Sequence, residues 1–440
     1  MPLTPRLPIE LLSLLPTFFD AQRDAKVLKT LSLTSQLFLK PCQTLLFNHI
    51  ILTSPTPNAT IPDGAYPGAK FFNLLERSPK VSRYIQKLTV SNTALAYGWL
   101  PNDMALARAL KKLDPNQITA FCLRNNRRAQ WYFLPFDVRI AFASICRSAC
   151  LVELSIREVP LTLLGVCGPS LKRFEARDAE ARDDGNISSV SRLASEEIVL
   201  DSLRLYHHFD LDKHVAYLVD PANKIRLDGL TKLDILAASP EDHACASDLI
   251  AHCRDSLRTF VFDPCSEISE PGIEGASVDL TDCTSLTSLE LHLDATCPDP
   301  EGERHCLHWA ASFISKIPPT TSNNIKSLFL SLRLDLSDVP GELTGYTGNQ
   351  LYYHLRTIAV TVTDSISTKN RKWKALEEVK VDVQSSNPND DDVEEIEAWV
   401  LDAMKSVSDS AVRFDLVALP HYVSEASLEV PPYNGMPESA

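Results

Sequence analysis

One six-residue pattern of apolar and polar positions recurs along the chain: apolar, two others, apolar, one other, apolar. Its last three positions alternate in the way that is typical of a strand with one buried face. Successive copies start 20 to 39 residues apart, most of them near 30. We therefore predict one strand at each copy. The copies begin at Ile85, Ile118, Leu151, Leu171, Leu200, Leu230, Leu257, Leu286, Ile325, Leu355 and Leu376.

Segments with helical spacing lie between these copies, and the alternation carries more weight than the six-residue pattern itself. Because 44% of the residues are apolar, many matches to the pattern arise by chance. The helical segments repeat their apolar residues at intervals of three and four positions, which predicts amphipathic helices. Such segments start at Leu106, Val138, Ala246 and Val393. The clearest one carries Cys306, Trp309, Ala310, Phe313, Ile314 and Ile317.

Alternation of strand and helix with a period near 30 is typical of a leucine-rich-repeat solenoid. We predict an α/β chain in which residues 81–418 form an irregular array of this kind, with parallel inner strands and outer helices. The asparagine or cysteine usual three positions after the last apolar residue occurs clearly only as Asn126 and Cys265. A doubly wound α/β sheet shares the alternation. It is disfavoured because no strand ends in a glycine-rich phosphate turn and eleven units are too many for one open sheet.

Residues 1–52 form a separate predicted module of three short helices, which start at Pro8, near Asp24 and at Pro41. Three short helices cannot bury so much aliphatic surface among themselves, so part of it should face a partner or the next domain. Residues 53–80 are predicted to be a linker or long loop, because they open with a stretch rich in proline, threonine and glycine. Residues 419–440 are predicted to be a disordered tail.

This N-terminal segment resembles the F-box motif, in the form common in fungal F-box-like proteins. The F-box pattern is a Leu-Pro-x-Glu helix, then Leu-x-x-Leu-Ser-Leu-x-Ser, then an aromatic residue. The chain departs from it at Gln36, where a basic residue is usual, and at Phe47, where tryptophan is usual. The matching positions are Leu7, Pro8, Glu10, Leu11, Leu28, Leu31, Ser32, Leu33, Ser35 and Phe47.

The resemblance implies a non-enzymatic adaptor of an SCF-type cullin–RING ubiquitin ligase. Its helices would bind the SKP-family linker protein, and the repeat face would bind an unknown substrate protein. A second hypothesis is a leucine-rich-repeat interaction scaffold whose N-terminal helices only cap the array. The residues that match the linker-contact positions are Leu7, Pro8, Ile9, Leu11, Leu12, Leu28, Leu31 and Leu33.

Composition narrows the possible partners and locations. A formal net charge of −14 disfavours a general nucleic-acid binder. No run of about 18 apolar residues is present, so we expect no membrane span. Pro8, Glu10 and Pro16 interrupt the first apolar run, so we expect no secretory signal. Eleven cysteines without a C-x-x-C pair indicate reduced thiols and a location in the cytoplasm, the nucleus or both.

An enzyme is the third hypothesis, but no catalytic motif supports it. The chain has none of the phosphate-loop, dinucleotide-binding, serine-hydrolase or zinc-protease patterns. The nearest metal-like cluster is His305, Cys306 and His308, which lacks a second ligand pair at zinc spacing. We therefore expect no enzyme activity, no catalytic or metal-binding residues and no cofactor.

The segment LRNNRRAQWYFLPF combines basic and aromatic residues. The interpretation we favour is an exposed loop followed by core aromatic residues. A protein-binding hot spot is the next, because arginine, tryptophan and tyrosine are enriched there. Stacking on a single-stranded nucleic acid is the third. The candidate substrate-binding residues are Arg124, Arg127, Arg128 and Trp131.

Overall fold

The protein is described by a computed structural model, in which the chain divides into two compact units. The first unit is Met1–Leu200 with Pro221–Ile225, and the second is Asp201–Asp220 with Arg226–Ala440. The structure describes residues 14–21, 23–53, 66–92, 99–125, 131–179, 197–206, 211–237, 239–264, 278–294, 306–334, 346–366, 373–385, 398, 400–410 and 412–420.

The first unit combines helices with parallel strands. Its helices are α1 (Ala25–Thr34), α2 (Gln36–Asn48), α3 (Pro67–Arg77), α4 (Leu106–Leu110) and α5 (Phe136–Cys146). Its strands are β1 (His49–Thr53), β2 (Lys87–Ser91), β3 (Ala120–Arg124), β4 (Glu153–Arg157), β5 (Arg173–Arg177) and the short β6 (Ile198–Val199). Its 3-10 helices are Leu15–Phe18, Pro79–Tyr84, Leu100–Asn102, Pro115–Gln117, Trp131–Phe133 and Leu161–Val166.

The second unit also combines helices with parallel strands. Its helices are α6 (Leu211–Val219), α7 (Pro240–Cys253), α8 (Cys306–Lys316), α9 (Pro319–Ser322), α10 (Tyr346–Ile366) and α11 (Lys405–Ser408). Its strands are β7 (Ser202–Tyr206), β9 (Lys232–Ala237), β10 (Thr259–Pro264), β11 (Ser288–Asp294), β12 (Ser327–Leu334), β13 (Glu378–Ser385) and β14 (Arg413–Pro420). The short β8 (Ile225–Arg226) and the 3-10 helix Pro221–Asn223 lie at the boundary of the units.

The strands pair in parallel within each unit. In the first unit β1 to β5 pair in chain order. In the second unit β7 pairs with β9, and β9 to β14 then pair in chain order. The predicted α/β class with parallel strands is therefore confirmed. Ten of the eleven predicted strands are also confirmed, namely β2, β3, β4, β5, β7 and β9 to β13.

The six-residue pattern has a physical explanation in the turn that enters each strand. Its first apolar residue closes that turn, as when the Ile118 N–H donates to the Pro115 carbonyl oxygen at 3.1 Å. The other two apolar residues point into the core, as Phe121 and Leu123 do. Because apolar side chains at these three positions are buried together, the pattern marks the strand entry as well as the strand.

Most repeats within a unit also contact the preceding repeat through the same pair of backbone hydrogen bonds. The Gln86 carbonyl oxygen accepts N–H bonds from Thr119 and Ala120, at 2.8 and 3.2 Å. The same double bond recurs within each unit, so successive repeats stack by one contact used many times, as in a one-dimensional array. The accepting carbonyl groups are those of Gln86, Thr119 and Val152 in the first unit and Asp201, Thr231, Arg258, Thr287 and Lys326 in the second.

The strand predicted to begin at Leu355 is wrong. That segment lies inside α10, where Leu355, Ile358 and Val362 are buried at helical spacing. Val360, the last apolar position of the pattern, is 43% exposed. Apolar residues at helical spacing also satisfy a six-residue pattern, so the pattern alone cannot separate the two structures. The strand β14 was not predicted at all.

The range 53–80 is not a continuous linker, because it contains α3 and the 3-10 helix Pro79–Tyr84. Pro67 stands in the first turn of α3, and Phe71 and Leu75 are buried one turn apart. The Gly68 N–H donates to Asp103 Oδ2 at 2.6 Å. A Cβ at Gly68 would lie 2.7 Å from Leu106 Cβ, so only glycine fits this contact between α3 and α4. Glycine here permits close helix packing rather than a loop.

Two other predicted boundaries lie close to the ends of strands. The strand β1, near the end of the predicted N-terminal module, pairs with β2 from His49 to Thr53. The strand β14 ends at Pro420, and the rest of the predicted tail lies outside the described residues.

Candidate protein-binding surfaces

The N-terminal helices expose large apolar side chains. Seven of the fourteen large exposed apolar side chains of the described residues fall between Leu14 and Ile51. The most exposed are Leu33 in α1, at 86%, and Phe18, at 80%. The helix α2 packs against both α1 and the 3-10 helix Leu15–Phe18, so these exposed side chains belong to one packed group of helices. We call them the N-terminal apolar surface: Leu14, Leu15, Phe18, Val27, Leu33 and Leu39.

Only part of the predicted linker-contact set lies on this surface. Leu33 is exposed and Leu31 is half-buried. Leu28 is fully buried, so its prediction as a partner contact is wrong. It serves the packing of the helices, because its side chain points away from solvent. The other predicted residues, Leu7, Pro8, Ile9, Leu11 and Leu12, lie outside the described part of the chain.

The candidate substrate-binding residues of the first unit are divided in the same way. Arg124 is exposed and is the last residue of β3, whereas Arg127 and Arg128 lie outside the described residues, as does Asn126. Trp131 is fully buried, and its ring stacks on Phe142 with centroids 6.2 Å apart. The prediction of Trp131 as a binding residue is therefore wrong. Its place in the core agrees with the interpretation favoured from the sequence.

A pair of buried asparagines follows β2 and β3. Asn92 Nδ2 donates to Asn125 Oδ1 at 3.0 Å. The Oδ1 of Asn92 accepts the N–H groups of Trp99 and Leu100, at 2.8 and 3.3 Å. The sequence pattern pointed to Asn126, one position beyond Asn125. Because the Asn92 amide accepts two buried backbone N–H groups, it holds Trp99 and Leu100 against the end of β2.

The second unit has a polar cluster on β7, β9 and β11. It lies on the face of these strands that is opposite the buried apolar side chains, which we call the outward side. Arg204 Nε donates to Asp234 Oδ2 at 2.7 Å, and the Tyr206 hydroxyl donates to the same oxygen at 3.2 Å. Asp234 is 2% exposed, and its Oδ1 is buried without a hydrogen-bond partner among the described residues. His292 Nε2 lies 2.7 Å from Glu290 Oε1.

Strand register explains how these residues meet although they are far apart in sequence. Arg204 is opposite Asp234, and Asp234 is opposite Val261. Val261 is in turn opposite Glu290. Charged positions one repeat apart therefore become neighbours on adjacent strands, about 4.8 Å apart.

The cluster shifts the pKa of both members of the histidine–carboxylate pair. The hydrogen bond from His292 lowers the pKa of Glu290 although burial opposes it, and Lys232 and Arg204 act in the same direction. Burial acts to lower the pKa of His292. The hydrogen bond to Glu290 and the charges of Glu290, Asp263 and Asp234 outweigh it, so that pKa is raised.

This pair should make the free energy of unfolding depend on pH. The contribution of His292 is complete below the usual imidazole pKa of about 6.5 and is lost as the pH rises through the raised folded-state value. The contribution of Glu290 is complete above its usual pKa of about 4.3 and is lost as the pH falls through the lowered one. His292→Gln should therefore lower the free energy of unfolding by about 0.5–1 kcal/mol near pH 6 and by less at pH 8. The effect is small at both pH values because solvent screens a half-exposed pair.

Urea denaturation of both proteins at pH 6 and pH 8 measures this difference. Arg413→Gln, which removes the exposed ion pair of Arg413 with Asp415, is a control whose effect should not change between these pH values. A His292→Gln effect that is equal at the two pH values, or larger at pH 8, would contradict the assignment of the pair.

Comparison with known proteins adds no family. No protein-family profile matches the chain, and no curated protein sequence is significantly similar to it. Among the residues that the structure describes, no helix has both the length and the apolar character needed to cross a bilayer. The described His, Cys, Asp and Glu residues form no group of three or more suited to a metal ion. His305 lies outside the described residues.

Proposed function

We propose that this chain is a substrate-recognition adaptor of an SCF-type cullin–RING ubiquitin ligase. The observation that carries the proposal is the N-terminal apolar surface, which coincides with the segment that resembles an F-box. A large apolar patch left exposed on a folded protein usually marks an interaction site. In the adaptor, this surface contacts the SKP-family linker protein. Leu33 is one of the side chains that the linker protein buries.

The remainder of the chain is proposed to be a leucine-rich-repeat-like solenoid that holds the substrate protein. The repeated backbone contact between successive strands supports this assignment, because within each unit it gives most repeats the same relation to the repeat before. The Asn92–Asn125 pair supports it as well, since its hydrogen bond joins the ends of the neighbouring strands β2 and β3. Substrate binding is assigned to the outward side of the parallel strands, where charged and polar side chains are collected.

A second candidate function is an interaction scaffold in which the N-terminal helices only cap the array. The pairing of β1 with β2 favours it, since the N-terminal segment then continues the sheet of the first unit. A cap, however, does not require exposed apolar side chains such as Leu33 and Phe18, which point away from the core.

Titration of the purified full-length chain with a purified SKP-family linker protein distinguishes these functions. The adaptor should form a one-to-one complex that elutes as a single species in size-exclusion chromatography and gives a dissociation constant in the submicromolar range by calorimetry. Absence of any complex at about 50 μM of each protein would leave only the scaffold.

A further inference from the structure

The outward side of β1 to β5 is basic, although the whole chain carries a net charge of −14. Its side chains alternate with the buried ones, and five of them are lysine or arginine whereas two are glutamate. This surface, which we call the basic strand face, therefore has a net charge of +3. Its charged members are Lys87, Arg124, Glu153, Arg157, Arg173, Glu175 and Arg177.

Three of these arginines stand in one column across adjacent strands. Arg124 is opposite Arg157, and Arg157 is opposite Arg177. In-register positions on parallel strands are about 4.8 Å apart, and like charges placed directly opposite each other destabilise a sheet. A column of three guanidinium groups therefore opposes folding unless a negative charge is supplied.

Little of that charge comes from the described part of the chain itself. Neither Arg124 nor Arg157 has an ion-pair or hydrogen-bond partner for its side chain there, and Arg157 Nε is buried without an acceptor. By contrast, Arg173 lies 3.0 Å from Glu153. Arg177 has interactions of its own, so Arg124 and Arg157 are the two members of the column that lack such partners among the described residues.

We propose that the basic strand face binds an acidic peptide segment of a partner protein, with Arg124 and Arg157 contacting its carboxylates. This deepens the proposed function, on which it rests, because the partner it describes is the substrate. The arginine column spans two strand spacings, about 10 Å, which is the length of about three residues of extended peptide. Several carboxylates along such a segment can each reach a different arginine, whereas one phosphate group cannot reach them all.

A protein segment fits this surface better than a nucleic acid does. Single-stranded nucleic acids bind by stacking their bases on aromatic side chains beside a basic groove. The outward positions of β2 to β5 hold lysine, arginine, glutamate, threonine, serine, alanine and cysteine, and no aromatic residue. An acidic peptide needs only the charges and hydrogen-bond donors that arginine supplies.

Fluorescence anisotropy with the full-length chain and labelled peptides tests the proposal. The probe is a peptide of about twelve residues with a central Glu-Asp-Glu-Asp run between glycine and serine. We expect it to bind more weakly as salt rises from about 50 to 200 mM. Arg124→Gln and Arg157→Gln should each raise the dissociation constant about tenfold. Arg413→Gln, on an outward and already paired position of β14, should change it less than about twofold.

Comparison peptides separate the other outcomes. A peptide with Gln-Asn-Gln-Asn in place of the acidic run should not bind. Equal binding of that neutral peptide, or unchanged binding by the Arg124→Gln/Arg157→Gln variant, would overturn the proposal. Binding of a singly phosphorylated neutral peptide, or of a single-stranded oligonucleotide, with no binding of the acidic peptide would also overturn it.

Two further measurements separate a loss of binding from a loss of folding. The double glutamine variant should retain its thermal midpoint or gain stability, because a like-charge contact is removed. The Arg124→Lys/Arg157→Lys variant keeps both charges and should bind at an intermediate level, which tests the site even if the glutamine variant unfolds. A chain that binds the linker protein but not the acidic peptide overturns this inference alone, and the reverse result overturns the adaptor function alone.

Discussion

Leu33→Asp and Phe18→Asp should each weaken binding of the SKP-family linker protein by about 100-fold. Both side chains are at least 80% exposed in the free chain, so their burial at an interface would contribute about 2–3 kcal/mol each. A charge at either position would also have to be desolvated without a partner. Because neither side chain supports the core, the thermal midpoint should stay within about 2 °C of the wild type. Calorimetric titration of each variant with the linker protein measures the change.

Two control substitutions separate loss of contact from loss of fold. Met104 is also highly exposed, at 72%, but it lies outside the N-terminal apolar surface, so Met104→Asp should leave linker binding unchanged. Leu28→Asp places a charge in the core and should lower the free energy of unfolding by more than about 3 kcal/mol. Equal loss of binding in Met104→Asp and Leu33→Asp would contradict the assigned surface.

Asn92→Ala should lower the free energy of unfolding by about 3–5 kcal/mol. The substitution removes the acceptor of the Trp99 and Leu100 N–H groups and one donor to Asn125 Oδ1, and each buried N–H group left unsatisfied costs about 1–3 kcal/mol. The buried Trp99, whose Nε1 donates to the Ser91 carbonyl oxygen, would lose one of the two hydrogen bonds that join it to the end of β2. Urea denaturation monitored by tryptophan fluorescence measures both effects.

A surface asparagine provides the matched control for this prediction. Asn73 is exposed on α3, and Asn73→Ala should change the free energy of unfolding by less than about 0.5 kcal/mol, because alanine is also a good helix former. Similar effects of the two substitutions would show that the Asn92 amide does not hold the turn.

Local sequence was sufficient to predict ten of the strands, because their entry turn and two core positions all lie within six residues. The copies at Ile118 and Leu286 illustrate this: both close a turn and both precede a confirmed strand. The same local view failed at Leu355, where a helix repeats apolar residues at overlapping spacing.

Exposure could not be predicted from residue type. Leu28 and Leu33 are five residues apart in the same helix and both match the F-box pattern, yet one is fully buried and the other is 86% exposed. Trp131 has the composition of a binding residue but fills the core beside Phe142. Which face a helix or loop buries depends on packing partners that are distant in sequence.

The polar features of the strand faces needed the register of the sheet. Asp234 and Glu290 are separated by 56 positions in the sequence, and only the pairing of β9, β10 and β11 brings them to one row. The column of Arg124, Arg157 and Arg177 arises in the same way. A shift of one residue in any strand would turn these side chains into the core.

Hydrogen–deuterium exchange of the full-length chain, with and without the linker protein, shows whether another subunit covers the N-terminal helices. If the helices at the start of the chain are exposed because another subunit covers them, complex formation should slow exchange in α1 and α2 and in the segment that contains Phe18. Exchange in β9 to β13 should stay unchanged. Unaltered exchange in α1 and α2 at saturating linker protein would contradict the account.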